Sequence, residues 1–237
     1  MSVLIGHASI DENNKVKNGQ VGDQTGKEVC IREWWDKGWN ILLRPNPQYA
    51  EAIVQACQAG CKNNNIGYDQ NQRNTLHNVA KSVAYDFSKI SPCETDCSAF
   101  VTVCCIAAGI TELEYVGNAP TTRTMRTVFK NTGKFQVITD IAYLRSDRYL
   151  KRGDILVKEG SHTVIVLENG QGVENVIAQD LSGKDIRVVA AINLNARILP
   201  NGSKLFLLNA GERVNVVQEK DGWCLIQAWV SSKYLVK

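Results

Sequence analysis

The chain has 237 residues, 44% apolar and 22% charged, which are the proportions of a folded globular protein and leave no room for a long disordered tail. Net charge is only +3, but from Arg187 onward seven Lys/Arg face three Asp/Glu, so the tail carries +4 and the remainder −1. That split, with no glycine-rich phosphate loop or basic aromatic surface, argues against nucleic acid as partner and for an anionic target of the tail. No basic leader followed by a long apolar run opens the chain, so neither a secretory signal nor membrane insertion is expected. Eight cysteines in a chain of this size do not make a small disulfide scaffold, and most are expected as free thiols.

In chain order, residues 1 to about 45 are turn-rich, with Asn13-Asn14, Gly19, Gly22 and Gly26 ahead of Trp34, Trp35 and Trp39, and little regular structure is predicted there. Helices follow from Asn46 to about Gly133. Tyr49, Ile53, Cys57 and Cys61 recur every four residues, and Leu76, Val79 and Val83 continue the spacing. A third helix starts at Cys97, with Phe100, Val101, Cys104, Cys105 and Ala108 as its apolar face, and a fourth covers Thr121 to Lys130. Strands are predicted at 135–139, 154–157, 163–167 and 173–177. From Val188 short strands alternate with turns at Pro200-Asn201-Gly202, Asn209-Ala210-Gly211 and Lys220-Asp221-Gly222, the pattern of a small all-β barrel.

Two residues could carry nucleophilic chemistry. Cys97 opens a predicted helix, where unpaired N–H groups and the helix dipole lower a thiol pKa and raise the reactive thiolate fraction. Of the three histidines, His77 falls within a helical pattern and His7 in the irregular leader. His162 opens the apolar strand Thr163-Val164-Ile165-Val166-Leu167, a fixed and partly open position for a base that later serves as acid.

In order, Asp96-Cys97-Ser98 on a helix, Arg152-Gly153-Asp154-Ile155-Leu156, and Ser161-His162 leading a hairpin resemble the NlpC-type and CHAP peptidoglycan hydrolases, a papain-like group, over roughly Ile66 to Ile177. Ala8 to Glu12, Gly22 to Val29 and Gly67-Tyr68-Asp69-Gln70 are similar to phage and prophage lysins of this group, which points to an endolysin. The resemblance implies Cys97 as nucleophile, His162 as base, and a polar third residue on the following strand, best matched by Glu174. It places Tyr68, Asp96 and Ser98 at the substrate, with the Cys97 N–H and Tyr68 meeting the oxyanion.

The tail resembles bacterial SH3-like wall-binding domains through Leu194-Asn195-Ala196-Arg197, Gly222-Trp223 and Trp229 to Leu235, with Trp223, Trp229 and Tyr234 as wall-binding residues. The expected architecture is an α+β papain-like catalytic domain, helices on an antiparallel sheet, at 1–180, followed by a small all-β SH3-like barrel at 187–237. The expected activity is cysteine-dependent cleavage of a wall amide, as N-acetylmuramoyl-L-alanine amidase or peptide endopeptidase. The alternative is a non-catalytic wall-binding protein. Partners are peptidoglycan and associated wall polymers, and the resemblance implies a wait in the host cytoplasm until release. No cofactor or metal is expected: Cys57, Cys61, Cys93 and Cys97 lack tight zinc-knuckle spacing, and Asp11, Glu12, Asn13 and Asn14 lack the glycine and closing glutamate of an EF-hand loop. Trp34, Trp35 and Trp39 could stack on sugars or anchor the leader in the core.

Overall fold

The computed structural model describes residues 2–173, 185–189, 194–197, 200–202, 204–208 and 211–227. The chain divides into two compact units, Met1–Glu174 and Asn175–Lys237.

The leader read as irregular supplies three strands of the first unit: β1 (Leu4–Ala8), β2 (Val29–Glu33) and β3 (Ile41–Pro45). They join β6 (Phe135–Ile138), β7 (Ile155–Lys158) and β8 (His162–Val166) in one antiparallel sheet of order β2-β1-β8-β7-β3-β6. The sequence hid this because each strand is only five residues long and its partners lie far away in the chain, so pairing rather than local periodicity decides it. Four helices follow where the apolar spacing put helical structure: α1 (Pro47–Cys61), α2 (Thr75–Ser82), α3 (Cys97–Ala107) and α4 (Met125–Asn131). The strand predicted from Val173 does not begin there: residues 171–173 are helical, and 174–177 lie outside the described residues.

Two apolar clusters sandwich the sheet. Ile53, Val54 and Cys57 of α1 and Phe100, Val101 and Cys104 of α3 pack with Ile155 and Ile165 on one face. Trp39, Leu42, Leu156, Val164 and Val166 pack on the other with Leu144 and Leu150. Strand alternation thus sends Thr163 and Ile165 toward the helices, and His162, Val164 and Val166 away from them. Helix α1 sits so close to β1 that a Cβ on Gly6 would meet the Cys57 Sγ at 2.3 Å, which leaves only glycine at this position.

Asp154, in the Arg152-Gly153-Asp154 segment, has a structural task. Fully buried on the approach to β7, it accepts from Arg44 Nε and Nη2 of β3 at 2.8 and 2.6 Å and from the Lys151 N–H at 2.8 Å, satisfying a carboxylate that burial would otherwise penalise. A separate parallel pair joins β4 (Ile66–Tyr68) to β5 (Cys93–Thr95), with Tyr68 opposite Thr95.

In the second unit, β9 (Asp185–Val188), β12 (Arg213–Lys220) and β13 (Trp223–Gln227) form an antiparallel sheet, and β10 (Leu194–Arg197) pairs with β11 (Lys204–Leu208). The turn predicted at Lys220-Asp221-Gly222 is a two-residue hairpin between β12 and β13. Asp221 and Gly222 have φ of 51° and 76°, both in the left-handed region that such a tight connection demands.

Candidate active site

Cys97 is the first residue of α3, and Asp96 caps the helix by accepting the Ala99 N–H at 2.8 Å. Arg73 fixes that cap: its Nε and Nη2 lie 2.6 and 3.2 Å from the Asp96 carboxylate, and Nη2 also donates to Ser98 Oγ at 2.9 Å. Ser98 in turn donates to Asp96 at 3.0 Å. Asp96 and Ser98, expected at the substrate, are thus engaged with Arg73 and the helix start. Arg73 went unnoticed in the sequence because nothing local ties residue 73 to residue 96.

Burial overrides the expected acidification of the nucleophile. Cys97 is 5% exposed, and loss of solvent, followed by the nearby Asp96 charge, pushes its thiol up to about 12. The nearby Thr163 and Ser98 backbone N–H groups act in the opposite direction without prevailing. The resting group is a neutral thiol, not the thiolate that a helix N-terminus alone would favour.

The Thr163 contact brings the start of β8 against α3, with His162 one residue earlier. His162 is 8% exposed and rests on Trp39, with ring centroids 6.2 Å apart and planes 28° from parallel. Its Nε2 lies 2.9 Å from Nδ1 of His7, which is 1% exposed on β1. The register that pairs Ile5 with Val166, carried two residues on, sets His7 beside Val164 and diagonal to His162. Beyond His7, Nε2 faces the Cys30 Sγ at 3.7 Å.

Both imidazoles are held neutral. Burial, then the charge of His162, then Arg32 and Lys37 push His7 down to about 3. Burial, then Lys37 and Arg32, push His162 down to about 4, opposed by Asp96. Two neutral rings sharing one hydrogen bond need one donor and one acceptor. If His162 donates from Nε2 to His7 Nδ1, its own Nδ1 is left free to accept a proton, and His7 donates its Nε2–H toward Cys30.

Tyr68 lies near Cys97 despite standing 29 residues ahead of it, because pairing with Thr95 puts it beside the strand that leads into Cys97. Its ring is buried, its hydroxyl accepts from Gln70 Nε2 at 3.2 Å, and its pKa is raised by burial and then by the proximity of Cys97. An open cavity of about 390 Å³ is lined by Tyr68, Gln70, His7, His162 and Ser161, with Trp35, Arg32 and Lys37 among its walls. Trp39 is a fully buried anchor, whereas Trp35 faces this space. Cys97 is not one of the residues lining this space, and among the described residues no hydrogen bond joins it to His162.

The structure therefore gathers Cys97, His162, Tyr68, Asp96 and Ser98 in one region and adds His7 and Arg73. Glu174, Trp229 and Tyr234 lie outside the described residues. Trp223 begins β13 and is half-buried. The signal for His7 was the apolar run Leu4-Ile5-Gly6 before it, too short to reveal a strand unaided.

A family model described as an endolysin-like domain matches residues 5–173, more than two thirds of the chain. No curated protein and no solved structure matches it.

Proposed function

Because the chain belongs to the endolysin-like domain family, we propose that it is a lytic enzyme directed at bacterial peptidoglycan, cutting a wall amide with Cys97 and His162 in an α+β unit of papain-like type. The observation that carries this reading is the meeting of helix start and strand start. The Thr163 N–H lies close enough to the Cys97 sulfur to oppose the rise in its pKa, while the preceding residue, His162, is joined through Nε2 to His7 at 2.9 Å.

The chemistry follows from the protonation states. With a thiol near 12 and an imidazole near 4, a preformed thiolate–imidazolium pair is strongly disfavoured, so His162 acts as general base during attack. The thiol proton passes to Nδ1 of His162 as sulfur bonds to the amide carbon. The imidazolium then returns that proton to the leaving amine, and water hydrolyses the resulting thioester by the same route. Catalytic hydrogen bonds commonly tighten only around substrate, which accommodates the absence of a direct Cys97–His162 bond at rest. The unpaired N–H groups at the start of α3, with the Tyr68 hydroxyl, are suited to receive the oxyanion. His7 takes the positioning role that the sequence offered to Glu174.

The tail is proposed as an SH3-like wall-binding module, supported by the +4 excess and the Leu194 to Arg197 strand. Among the described residues no helix is long and apolar enough to cross a membrane. Zymography on purified walls tests the central reading: the native chain clears and Cys97→Ala does not. Clearing by Cys97→Ala would overturn the mechanism, and no clearing by either chain would favour a wall binder. Mass spectrometry of released fragments distinguishes amidase from endopeptidase, because the new amine appears on a different residue in each case.

A further inference from the structure

The walls of the cavity in front of His162 are electrically one-sided. Arg32 and Lys37 line it, and among the described residues no Asp or Glu does. Among the described residues neither cation forms an ion pair, and Asp36, next to Lys37 in sequence, is taken by Arg145 at 3.3 Å and by the Gly38 N–H at 2.7 Å. Arg32 is also held in place: its guanidinium carbon lies 4.5 Å from the Trp35 ring centroid, and stacking on an indole face leaves the N–H edge open to an anion. The pairing of Ile5 with Arg32 and of His7 with Cys30 sets Arg32 on the same sheet face as the two imidazoles.

We propose that Arg32 and Lys37 recognise a free carboxylate on the wall peptide close to the scissile amide, so that the enzyme selects carboxylate-bearing over amidated stem peptides. This rests on the peptidoglycan-cleavage reading above and names its substrate class. Charge complementarity at His162 supports it. The charged or titratable groups bearing on that ring are His7, Arg32, Lys37 and Asp96, and the two cations oppose the imidazolium that must form during attack. A substrate carboxylate seated between them cancels that opposition when the base must charge, so an anionic substrate is both held and helped to react.

The test uses the full chain and synthetic stem peptides in pairs, each free carboxylate replaced in turn by a carboxamide. In the non-cleaving Cys97→Ala chain, calorimetry should show one carboxylate peptide binding about tenfold or more tighter than its amidated partner, the scale of a charge-assisted contact. Arg32→Gln/Lys37→Gln should remove that difference, while Lys130→Gln, an exposed lysine on α4, should preserve it. The native chain should show the same preference in kcat/KM. Equal affinity for all pairs, or a preference that survives Arg32→Gln/Lys37→Gln, overturns the proposal. The two readings fail separately. Cleavage without carboxylate preference sinks the recognition site alone, and carboxylate-selective binding with no cleavage by the native chain sinks the hydrolase reading alone.

Discussion

The thiol of Cys97 and the thiols of Cys57, Cys104 and Cys105 are alike in burial and unlike in company. All four are nearly or wholly inaccessible, and burial raises the pKa of each. Around Cys57 the neighbours are other sulfurs, Cys61 and Cys104, packed between α1 and α3. Around Cys97 they are two backbone N–H groups, the positive end of a helix, and a strand that begins with a neutral imidazole. A resting pKa therefore does not separate the proposed nucleophile from the core thiols. The groups able to take the proton and meet the oxyanion do.

The comparison breaks most visibly at the proposed nucleophile. Cys97→Ala should abolish wall lysis with the fold retained, as judged by zymography beside circular dichroism. His162→Ala should follow with a loss of about 10² to 10⁴ in turnover, the usual contribution of a general acid–base group, and lytic activity within threefold of native would reassign the base.

A smaller effect is expected one step further out. His7→Ala should lower kcat by about 10- to 100-fold, the range for losing a group that orients a working imidazole, with KM little changed. His7→Asn, which restores an acceptor for the Nε2–H of His162, should recover part of that loss. If Asn and Ala behave alike, His7 merely fills space.

The pH dependence sharpens the contrast between a neutral dyad and a preformed ion pair. A base held near 4 stays unprotonated well below the ordinary imidazole range, so kcat/KM should hold its plateau through pH 5 and fall only toward about 4. An acid limb centred near the unperturbed value of about 6.5 would instead signal an exposed imidazole. Stability moves in the same direction. Both imidazoles have folded values below the unfolded 6.5, so the unfolded chain binds more protons in between. Their contribution is fully present above about 6.5 and is lost as pH falls toward 4 and then 3. Thermal melts at pH 7 and pH 4 check this, and activity restored on return to neutral pH separates titration of the base from irreversible unfolding.

The least effect on activity belongs to the core thiols. Cys104→Ala and Cys105→Ala should each cost about 1 kcal/mol of stability through a small cavity and leave turnover near native, since no reacting atom touches them. A turnover loss as large as that of His7→Ala would erase the distinction between the two groups of thiols.

Local chemistry was enough to mark much of this protein in advance. The four-residue apolar spacing marked α1, the apolar face from Phe100 to Ala108 marked α3 from Cys97, an apolar run marked β8 behind His162, and a turn at Lys220-Asp221-Gly222 marked the tail connection. Each of these features is written within a few residues of itself. Tertiary pairing decided the rest. His7 meets His162 across 155 positions because β1 inserts beside β8, Tyr68 reaches Cys97 because β4 runs parallel to β5, and Arg73 locks Asp96 from another segment. Burial, too, belongs to the assembled structure, and it reversed the expected direction of the Cys97 pKa. A helix dipole can be read from the chain, whereas desolvation depends on everything packed around the sulfur.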